Sequence, residues 1–150
     1  METFVAPFIQ FIHVLCGVSF FGITIASFAY ISKSIKKNDS ALLHYALKTS
    51  LLGDRIIFPI IIIQFITGAM MVQYHHLSFQ TPWIIVAFIA LSVVSLIWFL
   101  LFLIKYINYS SGRNTFFKFK KSFFILNIII ILLFCMIIHD AIAQKTFLWR

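Results

Sequence analysis

Residues 82–107 read PWIIVAFIALSVVSLIWFLLFLIKYI, and this stretch decides the fold. Its one charged residue is Lys105, close to its end. A helix needs about 20 apolar residues to cross about 30 Å of hydrocarbon, and this segment supplies them. Three further stretches, roughly 4–32, 50–73 and 122–143, have the same character. The sequence therefore predicts an all-α membrane protein that is a bundle of four transmembrane helices.

The composition agrees with a membrane protein. Hydrophobic residues make up 62% of the chain and charged residues 11%, whereas soluble domains carry about 25% charge. We predict helices at roughly 4–32, 44–74, 82–108 and 122–143, which make residues 1–150 a single transmembrane domain without an extramembrane catalytic domain. The first helix is too long for a secretory signal and lacks a basic leader, so we interpret it as a permanent span.

The net charge of +8 indicates the orientation of the chain. Lysines and arginines flank the first and third connections between helices, whereas the second connection, residues 74–81, carries none. Short basic loops remain in the cytoplasm, so we predict both termini on the periplasmic side of a bacterial inner membrane. The positive charge then contacts anionic lipid headgroups and is not a nucleic-acid site.

Polar and small residues recur along one face of three predicted helices. This spacing is typical of faces that pack against neighbouring helices, because buried polar atoms need partners away from lipid. Pro59 predicts a kink in the second helix. The three faces are His13, Cys16, Gly17, Thr24 and Ser27; Gln64, Thr67, Gly68, Met71 and His75; and Asn127, Cys135 and His139.

Four of the five histidines are predicted in the periplasmic half of the bundle, together with several sulfur atoms. Imidazole and sulfur bind haem iron and copper(I), so a cofactor site there is chemically reasonable. The alternative is that a buried histidine donates a hydrogen bond and that the sulfur atoms only pack. The residues concerned are His13, His75, His76 and His139, with Cys16, Met70, Met71, Cys135 and Met136.

Asp54 and Arg55 form the second candidate site, because ionisable residues at membrane depth are costly and often functional. Adjacent residues on a helix point about 100° apart, so the two cannot simply neutralise each other. We predict that Asp54 relays a proton and that Arg55 holds a carboxylate of a tetrapyrrole or quinone-like substrate. Arg55 reaching toward lipid phosphates is the alternative.

Several short motifs carry a family resemblance. They are Ile12-His13-Val14-Leu15, Phe21-Gly22, Leu52-Gly53-Asp54, Pro59, Gln64, Thr67-Gly68, Thr81-Pro82-Trp83 and Trp98. Over essentially its whole length the chain resembles a bacterial family of four-helix inner-membrane proteins described as predicted integral membrane proteins of unknown function. More distantly, it is similar to the haem-containing protoporphyrinogen oxidase of the J type and to copper-resistance D-type membrane proteins. The resemblance to the oxidase implies that His13 binds haem b.

These observations lead to three functional hypotheses. The first is a haem b membrane oxidoreductase, acting on a porphyrinogen, a quinone or another lipophilic substrate, with His13 and His139 as metal ligands and Gln64 beside the cofactor. The role of His139 is a local inference, because the family's usual Lys-Pro ending is absent here. The second is a non-enzymatic accessory subunit, packing against a larger respiratory or transport complex or against further copies of itself. The third is a copper-handling membrane protein.

Overall fold

Four long helices account for the fold in a computed structural model, which describes residues 2–111 and 119–144. The helices are α1, Glu2–Lys37; α2, Ser40–Tyr74; α3, Pro82–Ser111; and α4, Lys120–Ala143. Each is long and apolar enough to cross a membrane, and no strand occurs in the described ranges. The predicted four-helix membrane fold is thereby confirmed.

The first two helices extend further than their apolar stretches. α1 continues to Lys37 and α2 begins at Ser40, so only a tight turn separates them. The Asp39 carboxylate caps α2 by accepting a 3.0 Å hydrogen bond from the Leu42 amide, and Asn38 takes a left-handed φ of 52° in the turn. At 1.5 Å per residue both helices are roughly 50 Å long, which exceeds the hydrocarbon thickness. α2 remains one helix through Pro59.

The two ends of the bundle differ in chemistry. We call the end with the α1–α2 turn and the start of α4 the basic end, since it carries Lys33, Lys36, Lys37, Lys120 and Lys121. We call the other end the histidine end, because the turn after α2 carries His75 and His76, both exposed. The prediction that the basic end faces the cytoplasm follows from the charge pattern alone.

Aromatic packing at the centre joins three of the helices. Phe20 of α1 is completely buried and meets Trp98 of α3 and Phe134 of α4 edge-on, with ring centroids 6.4 and 4.9 Å apart. Edge-to-face pairs are favourable because the positive edge of one ring contacts the negative face of the other. Among the helix pairs, α1 and α2 have the most extensive contact. Within it, the missing side chain at Gly53 lets Ile23 of α1 lie close to the α2 backbone.

The polar face predicted for α4 is only partly directed inward. Asn127 is buried, but Cys135 and His139 are exposed on the outside of the bundle. Steps of four residues rotate by about 40° each around a helix, so a series at multiples of four leaves the starting face. The buried positions are Phe123, Asn127, Ile130, Phe134 and Asp140.

Candidate functional site

A buried ion pair joins α2 to α3. The Lys105 nitrogen lies 2.5 Å from Oδ2 of Asp54, and the two side chains are only 5% and 1% exposed. The indole nitrogen of Trp98 donates a 3.0 Å hydrogen bond to Oδ1 of the same carboxylate. Lys105 also donates to the Ser50 hydroxyl over 3.0 Å. Both carboxylate oxygens and the ammonium are therefore held by protein groups.

Helix periodicity brings these four side chains together. Ser50 and Asp54 are four residues apart on α2, and Trp98 and Lys105 are seven apart on α3, so each pair lies on one helix face. Where the two faces meet, each buried charge finds the opposite one. A charge left alone at this depth would cost several kcal/mol, which explains why the polar faces of α2 and α3 turn toward each other.

A small cavity of about 10 Å³ lies against the ion pair, and all four helices line it. This is about the size needed for one water molecule. The Thr24 hydroxyl and the Asn127 amide each donate to a carbonyl of their own helix over 2.8 Å, so their oxygen atoms can still accept a hydrogen bond from water. The polar lining consists of Thr24, Ser27, Asp54, Lys105 and Asn127, with the Trp98 ring beside them.

A second polar cluster surrounds His13 and joins α1 to α2. Thr67 donates its hydroxyl hydrogen to the Ile63 carbonyl over 2.7 Å, so its oxygen accepts from Nδ1 of His13, 2.9 Å away. The Gln64 amide nitrogen donates to Nε2 of His13 over 3.1 Å. These two hydrogen bonds place a hydrogen on Nδ1 and leave Nε2 as the acceptor. A Cβ at Gly68 would come within 3.3 Å of Cε1 of His13.

The predicted site residues are brought together only in part. His13 and Gln64 are in contact through a hydrogen bond, and Asp54 is buried in the ion pair. Arg55 lies on the exposed outer surface of α2, away from the carboxylate of Asp54. His139 lies on the outer surface of α4 with its side chain 47% exposed, and its Nδ1 is 3.1 Å from the carboxylate of Asp140.

These positions do not fit a haem held by two histidines. Axial ligation requires a free ring nitrogen from each histidine directed at one iron, but both nitrogens of His13 are engaged with α2. His139 belongs to a separate, exposed surface. Within residues 2–111 and 119–144, no group of three or more His, Cys, Asp or Glu residues could hold a metal ion.

The family model for predicted integral membrane proteins called DUF2269 matches residues 7–139, nearly the whole chain. The chain belongs to the DUF2269 family. No curated protein and no solved structure matches it, so the more distant similarity to the J-type oxidase and the copper-resistance proteins stays a prediction.

Three residues of the ion-pair site, Ser50, Trp98 and Lys105, were not predicted from the sequence. The charge pattern indicates only that Lys105 lies close to the third connection, and Trp98 enters only through the family resemblance. Two signals were present in the sequence. Lys105 is the one charge in residues 82–107, and it lies on the same helix face as Trp98, seven residues earlier. A charge inside a span needs an opposite charge, and Asp54 was available.

Proposed function

We propose that this DUF2269 protein exchanges protons inside a bacterial inner membrane, with Asp54 and Lys105 as the exchanging pair. The observation that carries the proposal is the full burial of both groups beside a water-sized cavity lined by all four helices. In this proposal the basic end of the bundle faces the cytoplasm, as the charge pattern of the connections predicts.

Energetic considerations support a functional role for the pair. A charged residue costs about 2.5–3.5 kcal/mol at the centre of a membrane helix and less toward its ends. Asp54 and Lys105 lie toward the ends of their apolar stretches, but both are buried among protein groups and so are still removed from water. Buried ion pairs can often be replaced by well-packed apolar residues with no loss of stability, so packing α2 against α3 does not by itself call for a charged pair. Ionisable groups retained at such a cost commonly lie on proton or substrate pathways.

The geometry permits a balanced proton transfer. A proton moves from the Lys105 nitrogen to Oδ2 of Asp54 across 2.5 Å, which leaves a neutral amine and a neutral carboxylic acid. The Trp98 indole keeps its hydrogen bond to Oδ1, and Ser50 remains beside the amine as donor or acceptor. A hydronium ion that reaches the cavity gives a proton to the neutral Lys105 amine and becomes water, and Asp54 later gives its proton to a water molecule, which leaves as hydronium. One proton has then entered the site and one has left it. The pair thus returns to its starting state.

Proton flux into liposomes tests this proposal. With a pH-sensitive dye inside vesicles that contain the wild-type protein, an acid pulse outside should be followed by proton uptake. The rate of proton uptake should be lower by about 100-fold or more in Asp54→Asn, because a positioned proton donor typically contributes that much to the rate. Asp39→Asn removes the same charge from the exposed turn and should leave the flux unchanged. The double variant Asp54→Leu/Lys105→Met should fold and show no flux. Equal flux through wild type, Asp54→Asn and the double variant would refute the proposal.

An optical spectrum separates proton exchange from the haem hypothesis. Haem binding would require Gln64 to swing away from Nε2 of His13, so we expect purified protein expressed with ample haem to show no Soret band. The measurement compares air-oxidised and dithionite-reduced samples, with His13→Ala alongside. A Soret band that shifts on reduction and is lost in His13→Ala would instead favour the haem b oxidoreductase.

The other two hypotheses find less support in the contacts. The polar faces of α1 and α2, which an accessory subunit would present to a partner, contact each other inside the chain through His13, Gln64 and Thr67. For copper handling, the Cys135 thiol is exposed on the outside of the bundle, while Cys16 is buried in α1.

A further inference from the structure

A cleft between α1 and α4 opens at the basic end, away from the ion pair. It has a volume of about 580 Å³, and its walls come from Ile35, Lys36, Lys120, Lys121, Phe124 and Ile125. Closer to the bundle centre the same two helices are in contact, since Phe28 of α1 packs against Phe124 with ring centroids 5.5 Å apart. The cleft begins where that aromatic contact ends.

The walls of the cleft combine two kinds of surface. The ammonium groups of Lys36, Lys120 and Lys121 are exposed, whereas Phe124 and Ile35 supply half-buried apolar surface beside them. An anionic phospholipid has the same division, with a phosphate above apolar acyl chains. Because lysines near a membrane surface attract anionic lipids, the cleft has the chemistry to bind such a molecule.

The described part of the chain does not neutralise this charge itself. The whole sequence has four acidic residues. Asp54 is paired with Lys105, Asp140 lies beside His139, and the carboxylate of Asp39 caps α2. Glu2 begins α1, roughly 50 Å from the other end of that helix. Within residues 2–111 and 119–144, no ion pair involves the three cleft lysines.

We propose that the cleft between α1 and α4 is a binding site for one anionic phospholipid, whose phosphate contacts Lys36, Lys120 and Lys121 and whose acyl chains lie along Phe124 and Ile35. This site is independent of proton exchange at Asp54. A bound lipid would fill the space between α1 and α4 where their side chains no longer meet.

Native mass spectrometry of the full chain in detergent tests the proposal with phosphatidylglycerol, and with phosphatidylcholine as the zwitterionic comparison. We expect one phosphatidylglycerol retained per chain, with binding at least about tenfold weaker in Lys36→Gln/Lys120→Gln/Lys121→Gln. The matched control Lys33→Gln/Lys37→Gln/Lys48→Gln removes the same charge from exposed lysines outside the cleft and should bind like wild type. The arginine variant, Lys36→Arg/Lys120→Arg/Lys121→Arg, keeps the positive charge and should also retain the lipid.

Three results would overturn the proposal. The first is an equal weakening of phosphatidylglycerol binding in both glutamine variants, which would mean that the lipid is attracted to the basic end as a whole and not to the cleft. The second is equal retention of phosphatidylcholine. The third is displacement of the lipid by equimolar inorganic phosphate, which would mean that the lysines bind a free phosphate group. Should the cleft variant fail to fold, loss of the lipid from the arginine variant would also count against the site.

Discussion

Asp54→Leu is expected to lower the free energy of unfolding by about 3–5 kcal/mol, because it leaves the Lys105 ammonium buried without its carboxylate. The Lys105 side chain is only 5% exposed, and once the Asp54 carboxylate is gone it keeps its hydrogen bond to Ser50. Unfolding by sodium dodecyl sulfate, followed by circular dichroism of the purified protein in mixed micelles, measures the change.

The remaining variants of a double-mutant cycle separate the ion pair from general packing. Asp54→Leu/Lys105→Met replaces both charges by apolar groups and should recover most of the lost stability, since neither charge is then unpaired. Lys105→Met alone should also lower the free energy of unfolding, because it leaves the Asp54 carboxylate buried without a positive partner. Additive losses in the double variant would show that the two side chains do not interact.

Gly53→Val is the second substitution with a large expected effect. A Cβ at Gly53 would lie 2.8 Å from Cγ2 of Ile23, well inside van der Waals contact. Ile23 is β-branched and stiff at χ1, so it cannot easily turn away. The substitution should therefore separate α1 from α2 and lower the free energy of unfolding by about 1–3 kcal/mol or more.

Gly22→Val is the matched control for that substitution. A Cβ at Gly22 would have nothing within 4 Å, and both glycines lie inside long helices. The control should keep wild-type stability or gain slightly, because glycine is a poor helix former. The same unfolding assay applies, and equal losses at positions 22 and 53 would contradict the close approach of α1 and α2 at Gly53.

The candidate site was only partly predictable from the residues. The small and polar face of α1 was correctly predicted to face inward, since Cys16 and Thr24 are buried. His13 and Gln64 were both selected and do meet. The sequence could not show that they would satisfy each other, because hydrogen-bond partners depend on how α1 and α2 are rotated. For the same reason His139 was expected inside the bundle but lies outside it.

The sequence by itself determined the four membrane helices and the basic character of one end. Long apolar stretches have one stable arrangement in lipid, where every backbone polar group must be satisfied within a helix. Only the tertiary structure decided that Asp54 pairs with Lys105 and that His13 is held by α2. Those pairings depend on the rotation and relative height of neighbouring helices, which close packing of side chains sets and local sequence does not.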